Sequence, residues 1–299
     1  MTGSRATSTV LDAALFLLLV GAAVATLTVP TGSLPSADAD AADEMADVLA
    51  TSTADVRYSL APGARCATSA VLAFPRTSGP QFERTAHGTL AGHLASAALG
   101  NLTVDGVQVT HTRDDYERAV ANATRNATRR RVHLTHVRAV WKPYDDAPLS
   151  GEVSVGPTPP ASAAVHAATL TVASGLPATR SEARAAANTS GNMSAVGDVV
   201  AKNVVTGLFP PDATRAALLG DYPVAQLVTY RYERVGRLVG TNVTTRARAN
   251  DATGANERLA DSLGRKLTAD MRSRFESADA AAANVSVDTV RLTVRTWSP

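Results

Sequence analysis

Residues Val10 to Val29, VLDAALFLLLVGAAVATLTV, form the one run in the 299-residue sequence long and apolar enough to cross a bilayer, and this run limits what the rest can be. At about 1.5 Å of rise per residue its helix would be roughly 30 Å long, the thickness of the hydrocarbon core. It carries a single charge, Asp12. Everything after it is expected to lie on one side of a membrane or to be released from it. Arg5 and the amino terminus are the only positive charges before the run, and five acids (Asp38, Asp40, Asp43, Glu44, Asp47) follow it before the first base, Arg57. The positive-inside rule then keeps the short amino end in the cytoplasm and puts the large remainder outside, as a single-pass protein of the cell membrane.

Three readings of the segment stay open. It is a plain signal anchor, or a cleaved secretory signal with Ala23-Val24-Ala25 in the small-x-small form that signal peptidase accepts, or a processed assembly helix. The third rests on a resemblance. The stretch RATSTVLDAALFLLLVGAAV is similar to the class III signal segment of archaeal type IV pilins: a basic residue and a small one, a cut, a short polar stretch, then a hydrophobic helix. The resemblance implies Arg5 and Ala6 before the cut, Thr7 as the new first residue, and Asp12 near the place where many pilins carry an acid. An acid there can pair with the terminal ammonium of a neighbouring subunit, so its desolvation cost is offset only on assembly. The composition and this start also resemble uncharacterised haloarchaeal membrane proteins encoded near pilus or secretion ATPases, although this chain lacks their strong acidity.

Beyond the run the pattern predicts an α+β protein. Residues 1–30 are the signal or transmembrane segment and 31–55 a neck, broken from it by Pro30, Gly32 and Pro35 and helical from Ser36 to Thr51 with Ala37, Ala41, Met45, Val48 and Leu49 on one face. Residues 56–175 read as an α+β region: a strand at Val56–Leu60, a helix over Gln81–Leu99, and LTVDGVQVT as a tight hairpin or a bulged strand. A helix follows at Arg113–Arg130, then strands at Val132–Trp141, Leu149–Val155 and Val165–Val172. The polar, small-residue stretch 173–193 reads as a loop, with 176–193 as the linker between regions. Residues 194–299 read as three helices (195–208, 224–239, 256–275) and a closing strand at Val285–Trp297. Both the 113–130 helix and the 256–275 helix run into a strand ending in Trp with Pro two residues later, which suggests a duplicated helix-strand unit. Apolar content of 45% is ordinary but alanine-rich, so the core is expected to be made of small side chains.

The chemical signals point to export more than to catalysis. Asn101, Asn122, Asn126, Asn188, Asn192, Asn242 and Asn284 each open an Asn-x-Ser/Thr sequon, seven of ten asparagines in the chain, and mark an exported glycoprotein. A net charge of +2 offers no basic excess for nucleic acid. The lone Cys66 excludes an internal disulfide and is expected to be partly buried. His133 and His136 stand three apart on a strand and His87 and His93 six apart on a helix, poor spacings for one metal ion. Asp114-Asp115 and Asp145-Asp146 suit a helix start and a turn. No phosphate-cradling glycine loop or nucleophile motif occurs, so no cofactor, metal or small-molecule ligand is expected. The expectation is therefore a non-enzymatic structural or assembly role, as a pilin-like or pseudopilin-like minor subunit of an archaeal surface filament or secretion apparatus. Its partners would be the membrane and other pilin-like subunits or secretion-apparatus proteins. A membrane-anchored extracellular binding module stands second and a tethered hydrolase a distant third.

Overall fold

The computed structural model describes residues 37–67, 69, 72–129 and 133–298. The run Val10–Val29, the processing residues Arg5, Ala6 and Thr7, and Asp12 lie outside them. The chain is α+β, and residues 36–299 make one compact unit. Among the described residues no helix is long and apolar enough to cross a membrane.

The unit begins with α1 (Ala37–Thr51), which buries Ala42, Met45, Ala46 and Leu49 and leaves Asp43, Glu44 and Asp47 in water. The buried stripe is turned slightly from the expected one, with Ala41 and Val48 only half-buried at its edges. Strand β1 (Thr53–Ser59) pairs antiparallel with β2 (Glu83–Thr89), in register from Thr53 opposite Thr89 to Ser59 opposite Glu83. The short helix α2 (Ala61–Cys66) lies between them in sequence. The helix expected over Gln81–Leu99 is thus two elements. Residues 83–89, ERTAHGT, hold no apolar residue beyond Ala86 for a helix face to bury, and they complete a ribbon with β1 instead. Helix α3 starts at Leu90 and ends at Gly100, with the Thr89 hydroxyl capping the Gly92 amide at 3.1 Å.

Strands β3 (Leu102–Val104) and β4 (Val107–Gln108) form the hairpin of LTVDGVQVT. Asp105 and Gly106 both take positive φ, 49° and 77°, as a two-residue hairpin turn of the primed kind requires. After α4 (Asp114–Thr128) come β5 (Leu134–Trp141), β6 (Leu149–Val155) and β7 (His166–Ala173). Together with β8 (Thr289–Trp297) they complete a six-stranded sheet of order β4-β3-β6-β5-β8-β7, antiparallel at every pairing.

Period-two alternation divides the sheet into an apolar and a polar face. Val137, Ala139 and Trp141 of β5 stand opposite Val294, Leu292 and Val290 of β8, and Val153 and Val155 of β6 continue the same side; all are buried. Helices α1 and α3 cover this side, α1 over β7 and β8 and α3 over β5 and β6. The approach of α3 is close because its inner surface is alanine (Ala91, Ala95, Ala98) and because Gly151 of β6 lies beneath it.

The stretch 173–193, expected as a loop, contains α5 (Arg180–Ser190). Only Ala183 and Ala187 of α5 are buried, at i and i+4, so its apolar face is too small to stand out in a polar sequence. The long α6 (Met193–Leu208) and α10 (Ala252–Arg274) cross closely at Gly197 and Gly264. Helices α7 (Pro211–Leu218), α8 (Val224–Leu238), α9 (Thr244–Arg248) and α11 (Ala278–Ala283) fill the remainder. The α10 layer is tied to the sheet by the buried Tyr144, whose hydroxyl donates to Asp270 Oδ2 at 3.0 Å, and by the ion pair of Lys266 with Asp105. One core runs from Ala42 to Val294 and includes residues from both sides of 176–193. Trp141 and Trp297 are both buried at the C-terminal ends of their strands. The strands run antiparallel, so the two rings sit at opposite ends of the pair.

Candidate functional site

The polar face of the sheet follows from the same alternation. Opposite the apolar series of β8 stand Arg291, Thr293 and Arg295. Register sets Arg291 between Val140 of β5 and Thr171 of β7, Thr293 between Arg138 and Thr169, and Arg295 between His136 and Ala167. No helix of the α1/α3 layer covers this side. Between β5, β8 and the start of α5 it opens into a cleft of about 550 Å³ whose cations are Arg138, Lys142, Arg180 and Arg291.

Two of these four charges are already answered. Arg138 grips Glu152 through Nε at 2.6 Å and Nη2 at 2.5 Å, a bidentate pair that holds the Glu152 carboxyl below the usual range. Lys142 pairs with Asp146 at 3.1 Å. Arg180 donates from Nε to the Val285 carbonyl at 2.7 Å, which fixes its side chain without neutralising it. Neither Arg180, Arg291 nor Arg295 forms an ion pair with a carboxylate among the described residues. His136 reports the resulting field: burial pushes its pKa down, and Arg295 and then Arg138 push it further. Thr171, Thr289, Thr293 and Ser286 add hydroxyls to the wall, and Asp145 adds a carboxylate.

A larger cleft, about 640 Å³, lies between α6 and α10. Its charged groups (Asp198, Lys202, Glu257, Asp261, Arg265) are all exposed and of both signs, the ordinary solvated surface of two helices. A third group of cations lies on α8 and on the segment 108–113 that leads into α4. Arg231 lies over the Phe209 ring at 5.1 Å, Arg113 over Tyr116 at 4.7 Å, and Arg234 donates to the carbonyls of Val109 and Gln108 at 2.9 and 3.1 Å. These arginines are engaged by rings and carbonyls and serve packing.

The sequons are placed as follows. Asn122 and Asn126 are exposed on α4, Asn188 on α5, Asn192 at the N-cap of α6, Asn242 before α9 and Asn284 at the end of α11. Asn284 is exposed even though it directly precedes the strand expected from Val285. Asn101 alone of the seven is half-buried, with its amide donating to the Glu152 carbonyl of β6 at 2.8 Å; the amide of the exposed Asn284 donates only within its own helix turn, to Ala280 at 3.0 Å. Cys66 is exposed, a correction to the expected burial, because it ends α2 on the outward side while Ala61, Gly63 and Ala64 face in.

The histidines are dispersed, and among the described residues no group of three or more His, Cys, Asp or Glu could hold a metal ion. His93 is a core residue. Its Nε2 lies 2.9 Å from the Ala54 carbonyl, which can only accept, so Nε2 donates there and Nδ1 of the neutral ring accepts from the Tyr116 hydroxyl at 2.9 Å. Asp114 and Asp115 occupy the first turn of α4, and Asp115 also accepts the Ser59 amide at 2.7 Å.

The sequence reading missed Arg180 and Arg291. The signal for Arg291 was present in VRLTVR, a strand whose outward positions are basic; the signal for Arg180 was hidden with α5. No curated protein and no solved structure matches the chain. Residues 11–297, from the apolar run to the last residue of β8, match the model described as "Family of unknown function (DUF7284)", and the chain belongs to that family.

Proposed function

We propose that the chain is a single-pass surface protein with its amino end in the cytoplasm and an exported α+β domain, acting as a structural, pilin-like or pseudopilin-like subunit rather than as an enzyme. The observation that carries the reading is the use made of α1. The helix that follows the apolar run in sequence is part of the domain's core, with Met45 and Leu49 buried against the β7–β8 side of the sheet, and its outward stripe is acidic. A simple tether has no need of a neck that forms one layer of the fold; a subunit positioned by its membrane helix does. The six exposed sequons support an extracellular setting.

Intact mass of the mature chain from its native membrane tests this. Loss of the first six residues supports processing after Ala6, and an unprocessed start refutes the processed form. An Asp12→Ala change that leaves complex formation untouched refutes the register role. A second reading, a tethered extracellular binding module, is favoured by the open polar face of the sheet with its cleft.

A further inference from the structure

The cleft on the outer face of the sheet contains more than a solvated strand surface requires. Arg180 and Arg291 approach it from different elements, the first turn of α5 and the middle of β8, and neither has a carboxylate partner among the described residues. Arg180 is held in place by its bond to the Val285 carbonyl, so part of the entropy of ordering that side chain is lost before any ligand arrives. It also stands at the first position of α5, where the helix dipole adds partial positive charge. Two unanswered guanidinium groups beside a helix start suit one doubly charged tetrahedral anion.

The rest of the wall suits something other than a bare anion. The threonine and serine hydroxyls both donate and accept, whereas Asp145, the one carboxylate of the wall among the described residues, only accepts. A polyanion would be repelled by that acid; a hydroxyl of a sugar would donate to it. Among the described residues no aromatic ring lines the cleft to stack on a nucleobase. At about 550 Å³ the space is several times that of an inorganic phosphate and ample for a hexose ring with its substituent.

We propose that this cleft binds a sugar carrying one phosphate or sulfate group, with Arg180 and Arg291 on the anion and Thr171, Thr293, Ser286 and Asp145 on the sugar hydroxyls. The proposal stands apart from the assembly reading, since it needs only the folded domain. It makes the protein a receptor for an acidic glycan unit, free or at a chain end.

Isothermal titration of the purified full chain with a panel of hexose 6-phosphates and 6-sulfates, the parent hexoses and inorganic phosphate tests it. At least one anionic sugar should bind tenfold or more tighter than both inorganic phosphate and its own neutral parent. Arg291→Gln and Arg180→Gln should each weaken that binding about tenfold, while Arg215→Gln, on the exposed side of α7, should not. Either arginine variant alone suffices if the other fails to fold. The same titration with a sulfated tetrasaccharide separates the sources: tighter binding than the monosaccharide assigns the site to a glycan chain, weaker binding to a free sugar ester. Anionic sugars no tighter than inorganic phosphate, or binding that survives both substitutions, would overturn the proposal.

Discussion

Adding one methyl group at Gly151 should separate α3 from the sheet. Gly151 lies on β6 between Leu102 of β3 and Trp141 of β5. A Cβ placed there would stand 2.2 Å from the carbonyl oxygen of Ala98 and 2.9 Å from its carbonyl carbon, and real Cβ atoms essentially never come within 3.0 Å. Both obstructing atoms are backbone, so no rotamer change relieves them and α3 must lift by roughly 1 Å. A gap of that size forfeits about a quarter to a half of the dispersion well for each facing pair of atoms. Overpacking of this kind costs about 1–3 kcal/mol, and a backbone-on-backbone clash belongs at the upper end. Replacing a strand glycine recovers about 0.5–1 kcal/mol of chain entropy, leaving a net loss of about 2 kcal/mol. For a domain of this size that corresponds to a fall of about 4–8 °C in Tm. Circular dichroism melts of Gly151→Ala read the Tm, and tryptophan emission should shift to the red as the seal over Trp141 opens. Gly240→Ala is the control: nothing lies within 4 Å of its Cβ, and its φ of +78° brings conformational strain alone. That variant should lose about 1 kcal/mol with emission unchanged. A Gly151→Ala protein melting within about 2 °C of the parent with the same emission would refute the close approach.

Three further outcomes follow from single contacts. His93→Phe takes the donor from the Ala54 carbonyl and one of two partners from the Tyr116 hydroxyl, which keeps Ser96; one buried orphan costs about 1–3 kcal/mol, and urea unfolding should show a loss of that size. His136 has a native pKa below its ordinary value, so the unfolded chain takes up its proton first as the pH falls. Stability should be full above about pH 6.5 and decline as the pH drops toward the lowered native value, and His136→Asn should flatten that part of the profile. Glycopeptide mapping from the native host should find Asn101 the least occupied sequon, because it alone is half-buried and its amide is tied to the Glu152 carbonyl of another element; an occupancy equal to that of the exposed Asn284, whose amide bonds only within its own helix turn, would count against this ordering.

Much of the sheet was legible because a half-covered antiparallel sheet prints its alternation on the chain. Leu134–Trp141, Leu149–Val155 and Thr289–Trp297 each place apolar residues at every second position, and each was found within a few residues of its bounds. The ribbon strand β2 was not, because neither of its faces is core: alternation needs a buried side to show, and ERTAHGT buries almost nothing. Short helices such as α9 and α11 escaped for a related reason. Their inward alanines, one in α9 and three in α11, carry little more hydrophobic contrast than a loop does.

The candidate cleft was missed through one of these same failures. Its cations come from β5, from β8 and from α5, and what joins them is the strand order, with β8 inserted between β5 and β7 so that residues far apart in the chain share a row. That order cannot be read from local pattern. Arg180 stands out only once α5 is recognised, since a base at the first turn of a helix opposes the dipole and asks for an explanation. Read as part of a polar loop it asked for none. A helix stabilised by two buried alanines and a binding cleft without a sequence motif are therefore one blind spot: both rely on tertiary partners, Val285 for Arg180 and the core around Ala183 and Ala187, that lie a hundred residues downstream or in another layer.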